Sequence, residues 1–184
     1  MAGAGTATPL LESLMTVEEP RPERVFLVDD QPIVREGLKQ VFAEDGASVC
    51  GEATSCLEAL ELLAGGHPDA VLVELAVGRE DTFELITELA SRGLPVVVFS
   101  AYEDPQHIER AFAAGARGYV TKREDPEILV RAVRRVVAGG RFLSGMAARS
   151  LLKKVRGSRA PAPEQPLSDR ERQVATDALR VAEA

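Results

Sequence analysis

The sequence predicts an α/β protein, a doubly wound parallel sheet covered by helices on both faces. Three observations carry that reading. Short apolar runs recur without a polar break, at Val25-Phe26-Leu27-Val28, Ala70-Val71-Leu72-Val73 and Pro95-Val96-Val97-Val98-Phe99, and runs of this kind suit strands buried on both faces of a parallel sheet. Segments of helical period separate them, so that strand and helix alternate five times with short connections; that pattern gives parallel strands joined by helical crossovers. The 184 residues, 45% of them hydrophobic, suffice for one domain with additions rather than two full domains.

The elements follow in order. Val25–Val28 is the first strand and runs straight into Asp29 and Asp30. From Gln31 to Phe42 the apolar positions Ile33, Val34, Leu38, Val41 and Phe42 have helical spacing, and Pro32 suits a first helical position. A short strand is expected at Ser48–Gly51. Thr54 or Ser55 can then cap a helix carrying Leu57, Leu60, Leu62 and Leu63 and ending at Gly65-Gly66. The strand Ala70–Val73 ends at Glu74. Asp81–Arg92 is amphipathic through Phe83, Leu85, Ile86 and Leu89, and the strand Pro95–Phe99 ends at Ser100. Asp104–Ala114 is helical, Tyr119-Val120 forms a short strand ending near Lys122, and Pro126–Ala138 is a helix with Ile128, Leu129, Val133, Val136 and Val137. Met146–Val155 reads as one more helix. It leads into a basic stretch, Lys153–Arg159, and a proline-rich spacer, Ala160–Pro166. Ser168 with Glu171 forms a capping box for a last helix.

The formal net charge of −7 argues against a chain that coats nucleic acid over its whole surface, and the Lys153–Arg159 cluster reads as a solvated linker. Cys50 and Cys56 form no Cys-x-x-Cys pair, and His67 and His107 lie far from both. No transition-metal ligand set is visible, and the thiols suit a reducing cytoplasm. No apolar run approaches the ~18 residues of a membrane span, so no membrane association is expected. Residues 1–23 lack the basic start and apolar core of a signal peptide and read as a disordered leader.

The chemistry gathers at the strand ends. Asp29, Asp30, Glu74, Ser100 and Lys122 all fall at the carboxyl edge of the sheet, where open α/β sheets bind ligands. Adjacent carboxylates repel unless a cation lies between them, and a hard divalent ion such as Mg²⁺ is the natural candidate. Three acids, a hydroxyl and an amine on one rim suit a phosphoryl site: the acids hold the metal, the hydroxyl donates to a phosphoryl oxygen and the ammonium neutralises charge. Each residue alone has a plainer role as a turn or strand-end group. Their coincidence at the ends of successive strands is what points to a common site.

With those residues in view, the chain resembles bacterial response regulators of the NarL/FixJ type, in which a receiver domain precedes a LuxR-type helix-turn-helix. The resemblance spans about Arg24 to Val174. It rests on Val28-Asp29-Asp30-Gln31-Pro32-Ile33-Val34-Arg35-Glu36-Gly37-Leu38, Gly51-Glu52-Ala53, Pro68-Asp69-Ala70-Val71-Leu72, Gly115-Ala116-Arg117-Gly118-Tyr119-Val120-Thr121-Lys122 and Leu167-Ser168-Asp169-Arg170-Glu171-Arg172. It implies a flavodoxin-like, five-stranded parallel sheet in the order 2-1-3-4-5. A receiver would occupy 24–143, a helix and basic, proline-rich linker 144–166, and a remnant of the DNA-binding domain 167–184. It further implies that Asp29 and Asp30, with Glu74, bind Mg²⁺, that Ser100 and Tyr119 form a switch pair, and that Lys122 contacts the phosphoryl group.

Two departures shape the expected function. Glu74 stands where the family has its phosphoacceptor Asp, one methylene further out, and a misplacement of ~1 Å can cost on the order of 100-fold in rate. Beside it, Val77-Gly78-Arg79 replaces the family's usual Met-Pro-Gly. After Val174 only Ala175–Ala184 remain, too few for a recognition helix, so DNA binding would need a complete helix-turn-helix supplied elsewhere. The expectation is a two-component response regulator, not an enzyme. Its receiver would be independent of phosphorylation and act on a second copy or another regulator, with a sensor histidine kinase a doubtful partner. Candidate output surfaces are the apolar-and-small face of Asp104–Gly115 and the helix Pro126–Ala138. The alternatives are a phosphorylation-dependent transcription regulator and a small Mg²⁺-dependent phosphatase-like enzyme. Against the enzyme stand the lack of a glycine-rich phosphate loop and of a second acid for proton transfer.

Overall fold

The computed structural model describes residues 23–157. The expected leader up to residue 22 and everything from residue 158 on, including most of the linker and the helix-turn-helix remnant, lie outside the described residues. In chain order the elements are β1 (Arg24–Val28), α1 (Pro32–Glu44), β2 (Ser48–Ala53), α2 (Cys56–Leu62), β3 (Ala70–Val73), α3 (Thr82–Ser91), β4 (Val96–Ser100), α4 (Pro105–Ala114), β5 (Gly118–Thr121), α5 (Pro126–Val137), β6 (Phe142–Leu143) and α6 (Gly145–Gly157). The strands form one sheet in the order β2-β1-β3-β4-β5-β6, and every neighbouring pair is parallel. This is the flavodoxin-like arrangement with one strand more than expected.

Successive side chains of a strand point to opposite faces, and the core divides accordingly. Phe26, Val28, Val71, Val73, Val96, Val98 and Tyr119 pack with residues of α2, α3, α4 and α6. Val25, Leu27, Ala70, Leu72, Val97 and Val120 pack with α1 and α5. Both faces of the inner strands are therefore apolar, which is why they read as unbroken runs. Each fully buried side chain of this kind contributes roughly 1.5–3 kcal/mol.

Local chemistry sets the helix starts. Proline stands in the first turn of α1, α4 and α5. The Ser55 hydroxyl accepts from the Glu58 N–H at 3.1 Å, and the carboxylates of Asp81 and Asp104 accept from Phe83 and His107 at 3.0 and 3.1 Å. At the end of α4, Gly115 has a φ of 110°, and a Cβ there would lie 2.6 Å from that of Ala90. Only glycine meets both conditions.

Several expectations are corrected. The sheet has six strands rather than five, because Phe142-Leu143 pairs in parallel with Gly118-Tyr119. A two-residue strand is too short to show a period. The packed unit also continues past residue 143: α6 seats Ala147, Ala148 and Leu151 in the core beside α4. On α1 the buried residues are Leu38 and Phe42, while Ile33 is 80% exposed. On α2, Leu57 and Leu62 are exposed and Ala59 and Leu63 are buried; the helix ends at Leu62, ahead of Gly65-Gly66. The apolar residues of α4 and α5 are largely spent inside the fold: Ile108 and Ala111, and Leu129, Val130, Ala132, Val133 and Val136, are all buried. Among the described residues, no helix is long and apolar enough to cross a membrane.

Candidate functional site at the strand ends

The sheet's own hydrogen bonding runs past the strand ends and fixes the backbone of the site. The Asp29 N–H donates to Ala53 O at 3.1 Å, Glu74 N–H to Val28 O at 2.9 Å, and Lys122 N–H to Ser100 O at 2.8 Å. The backbones of three expected site residues are thus fixed to the sheet before any side chain is placed.

Four of the five expected strand-end side chains meet. Asp29 and Glu74 are each 3% exposed and Ser100 is fully buried. The Lys122 ammonium lies 2.7 Å from Asp29 Oδ2 and 2.6 Å from Glu74 Oε2, and 5.7 Å from the centre of the Phe99 ring. Glu74 Oε1 accepts from the Ser100 hydroxyl at 2.6 Å and from the backbone N–H groups of Leu75 and Ala76 at 2.6 and 3.0 Å. Asp29 Oδ1 accepts from Gln31 N–H at 2.8 Å, and Arg35 Nη1 donates to Asp29 O at 2.7 Å. Two buried carboxylates thus face one ammonium, and directed N–H and O–H donors balance the remaining negative charge, as buried charge requires. Burial works against charge on Lys122, but the hydrogen bonds it donates to Asp29 and Glu74 outweigh it, and the lysine pKa is raised above its ordinary value.

The fifth residue stands apart. Asp30 is exposed, and its Oδ2 accepts from Gly78 N–H at 3.1 Å. Gly78 has a φ of 55°, and Val77 is 1% exposed. The Val77-Gly78-Arg79 turn is therefore fitted to the site: its valine is in the core and its glycine N–H reaches Asp30. Thr82 holds the same loop, its hydroxyl donating to Leu75 O at 2.8 Å.

Tyr119 is fully buried, and its hydroxyl donates to Tyr102 O at 2.7 Å. Burial pushes the phenol pKa well above its ordinary value, against the effect of Ser100. Sequence reasoning did not single out Tyr102, yet its main chain joins Ser100 to Tyr119, the expected switch pair. Its N–H donates to Ser100 Oγ at 3.2 Å while its carbonyl receives Tyr119. A continuous path therefore runs from Glu74 through Ser100 and Tyr102 to Tyr119. Outside it, the Tyr102 ring stacks on His107, centroids 4.2 Å apart and 3° from parallel.

The fit to a divalent ion can be tested on these oxygens. Mg²⁺ needs near-octahedral oxygens at about 2.0–2.1 Å, whereas both Glu74 oxygens and both Asp29 oxygens already have donors. Among the described residues no three His, Cys, Asp or Glu side chains are placed to hold a metal ion. As arranged, the acids do not fit Mg²⁺.

Comparison with known proteins places this geometry. Residues 25–134 match the model of the response regulator receiver domain. Over 152 residues the chain is 35% identical to the transcriptional regulatory protein UhpA of Salmonella typhimurium, spanning 82% of this chain and 73% of that protein. It is 36% identical over 148 residues to the DNA-binding transcriptional activator DevR/DosR of Mycobacterium tuberculosis, spanning 79% and 67%. Among solved structures, a LuxR-family two-component response regulator from Aurantimonas sp. superposes with a TM-score of 0.70 at 32% identity, covering 73% of this chain and 99% of that one.

Proposed function

Since this chain belongs to the response regulator receiver family, we propose that it is an atypical receiver whose switch is held by Glu74 without phosphorylation and which signals through protein–protein contact. One observation carries the reading. The Glu74 carboxylate engages Ser100 Oγ and Lys122 Nζ, each at 2.6 Å, the hydroxyl and the ammonium that the resemblance assigns to a phosphoryl group. A carboxylate with three donors on one oxygen and an ammonium on the other has little nucleophilic character left. The longer Glu arm does more than slow phosphorylation; it fills the place of the product. Ser100 is drawn to the carboxylate, and Tyr119 is turned inward and bonded to Tyr102. That is the arrangement the resemblance gives to the switched state, so Glu74 mimics it rather than silencing the receiver. The partner is then a second copy or another regulator.

Labelling with acetyl phosphate, read by intact mass, tests this. The expected result is no phosphoryl adduct on the wild type and an adduct on Glu74→Asp. An adduct on the wild type that disappears in Glu74→Gln overturns the reading. It would support the second one, a kinase-driven, phosphorylation-dependent transcription regulator, of which the names of the relatives favour the transcriptional role.

A further inference from the structure

We propose that Lys122 takes the place of a divalent cation in this acid cluster, so that the receiver completes its site with an internal ammonium and has no Mg²⁺ site. Asp29 offers Oδ1 to Gln31 N–H at 2.8 Å and Oδ2 to Lys122 at 2.7 Å. Glu74 offers Oε2 to Lys122 at 2.6 Å and Oε1 to Ser100, Leu75 and Ala76. Asp30, the remaining acid, is turned to the surface and holds Gly78. An entering ion would therefore have to displace the ammonium from both buried carboxylates. It would also leave that ammonium against the same ion, since the Lys122 backbone is pinned to Ser100 O at 2.8 Å.

Lys122 holds two advantages in that competition. It is tethered, so its concentration at the carboxylates is set by the chain rather than by the solution. It also lies 5.7 Å from the centre of the Phe99 ring, within reach of a cation–π attraction. Mg²⁺, by contrast, dehydrates reluctantly and keeps several waters, and the inner side of this site is lined by Leu27, Leu38, Leu72 and Phe99. The length of Glu74 completes the arrangement, because one carboxylate reaches both Ser100 and Lys122. The inference goes beyond the phosphorylation reading, and its test reads ion binding directly, whether or not Glu74 accepts a phosphoryl group.

The experiment titrates Mn²⁺, a paramagnetic stand-in for Mg²⁺, into the full chain while amide line broadening at Asp29, Asp30 and Leu75 is followed by NMR. Mg²⁺ titration calorimetry runs beside it. For the wild type the expected result is no saturable binding at millimolar ion and no site-specific broadening. Lys122→Met removes the competitor and should bind at least about tenfold more tightly, whereas Lys122→Arg keeps an internal cation and should behave as the wild type. Saturable binding by the wild type at these residues overturns the proposal, as does a folded Lys122→Met that binds no better. If Lys122→Met folds only when Mg²⁺ is added, the ion has replaced the ammonium and the proposal stands. If it folds under no condition, the wild-type and Lys122→Arg titrations decide: binding by either overturns the proposal, and its absence in both supports it.

Discussion

The strand-end rim has two halves, each with an aspartate from the same pair, and their outcomes are opposite. Inside, Asp29, Glu74, Ser100 and Lys122 are sunk in the sheet edge and bonded to one another. Outside, Asp30 is one residue from Asp29 in sequence, yet it is exposed and holds only the Gly78 turn. The strand ends at Val28 and the chain bends at Asp30, so one aspartate enters the cluster and the other leaves it. What the contrast teaches is that adjacency in sequence does not make a ligand pair. The inner half is an electrostatic lock, and the outer half fastens a loop.

The largest expected effect tests the lock. Lys122→Met leaves two carboxylates buried without their cation, and breaking a buried pair in this way costs about 3–5 kcal/mol. Urea unfolding at neutral pH should show a lower midpoint with an unchanged slope. The pH dependence has a definite sign. A lysine whose folded pKa is raised above its ordinary 10.5 stabilises the fold fully below that value and loses the contribution as pH climbs through the folded pKa. The wild type should therefore lose part of its advantage over Lys122→Met only above about pH 10.5. A constant difference between the two across that range would contradict the ammonium lock.

Ser100→Ala comes next. It removes the donor to Glu74 Oε1 and the acceptor of Tyr102 N–H. Glu74 Oε1 keeps the N–H donors of Leu75 and Ala76, so the loss is that of one hydrogen bond to a charged group, about 1.5–3 kcal/mol. Because Tyr102 joins Ser100 to Tyr119, the variant should also shift the Tyr119 and Tyr102 backbone resonances. A stability loss with no such shift would break the path at Tyr102.

The same contrast shows what the sequence discloses. The inner strands were legible because both their faces are buried, which leaves a run such as Val25–Val28 with no polar residue. The two-residue β6 was not, since it is too short to have a pattern. On α2 the leucines fit a helical period, but Leu57 and Leu62 face solvent while Ala59 is buried. Small residues fill a close helix–sheet contact, and hydrophobicity alone does not announce it. In the site, Glu74, Ser100 and Lys122 were legible as strand-end residues. Tyr102 was not, because it acts through its N–H and C=O, which every residue but proline carries. The separation of Asp29 from Asp30 was likewise invisible, as it depends on which way the chain leaves the sheet.

The smallest expected effect probes the outer half. Asp30→Asn removes a charge but keeps a side-chain oxygen able to accept the Gly78 N–H, now held at 3.1 Å. Asp30 is exposed, and substitutions at such positions usually change stability by no more than about 0.5 kcal/mol. The acceptor is conserved, so the Val77-Gly78-Arg79 turn should keep its shape and Val77 its place in the core. Removing a carboxylate beside the cluster should also leave the Asp29–Lys122–Glu74 contacts intact, since none of them passes through Asp30. Urea unfolding of Asp30→Asn beside Lys122→Met measures the two halves on one scale. If the exposed aspartate proves as costly to change as the buried lysine, the rim is a single electrostatic unit. The division into an inner lock and an outer fastening then fails.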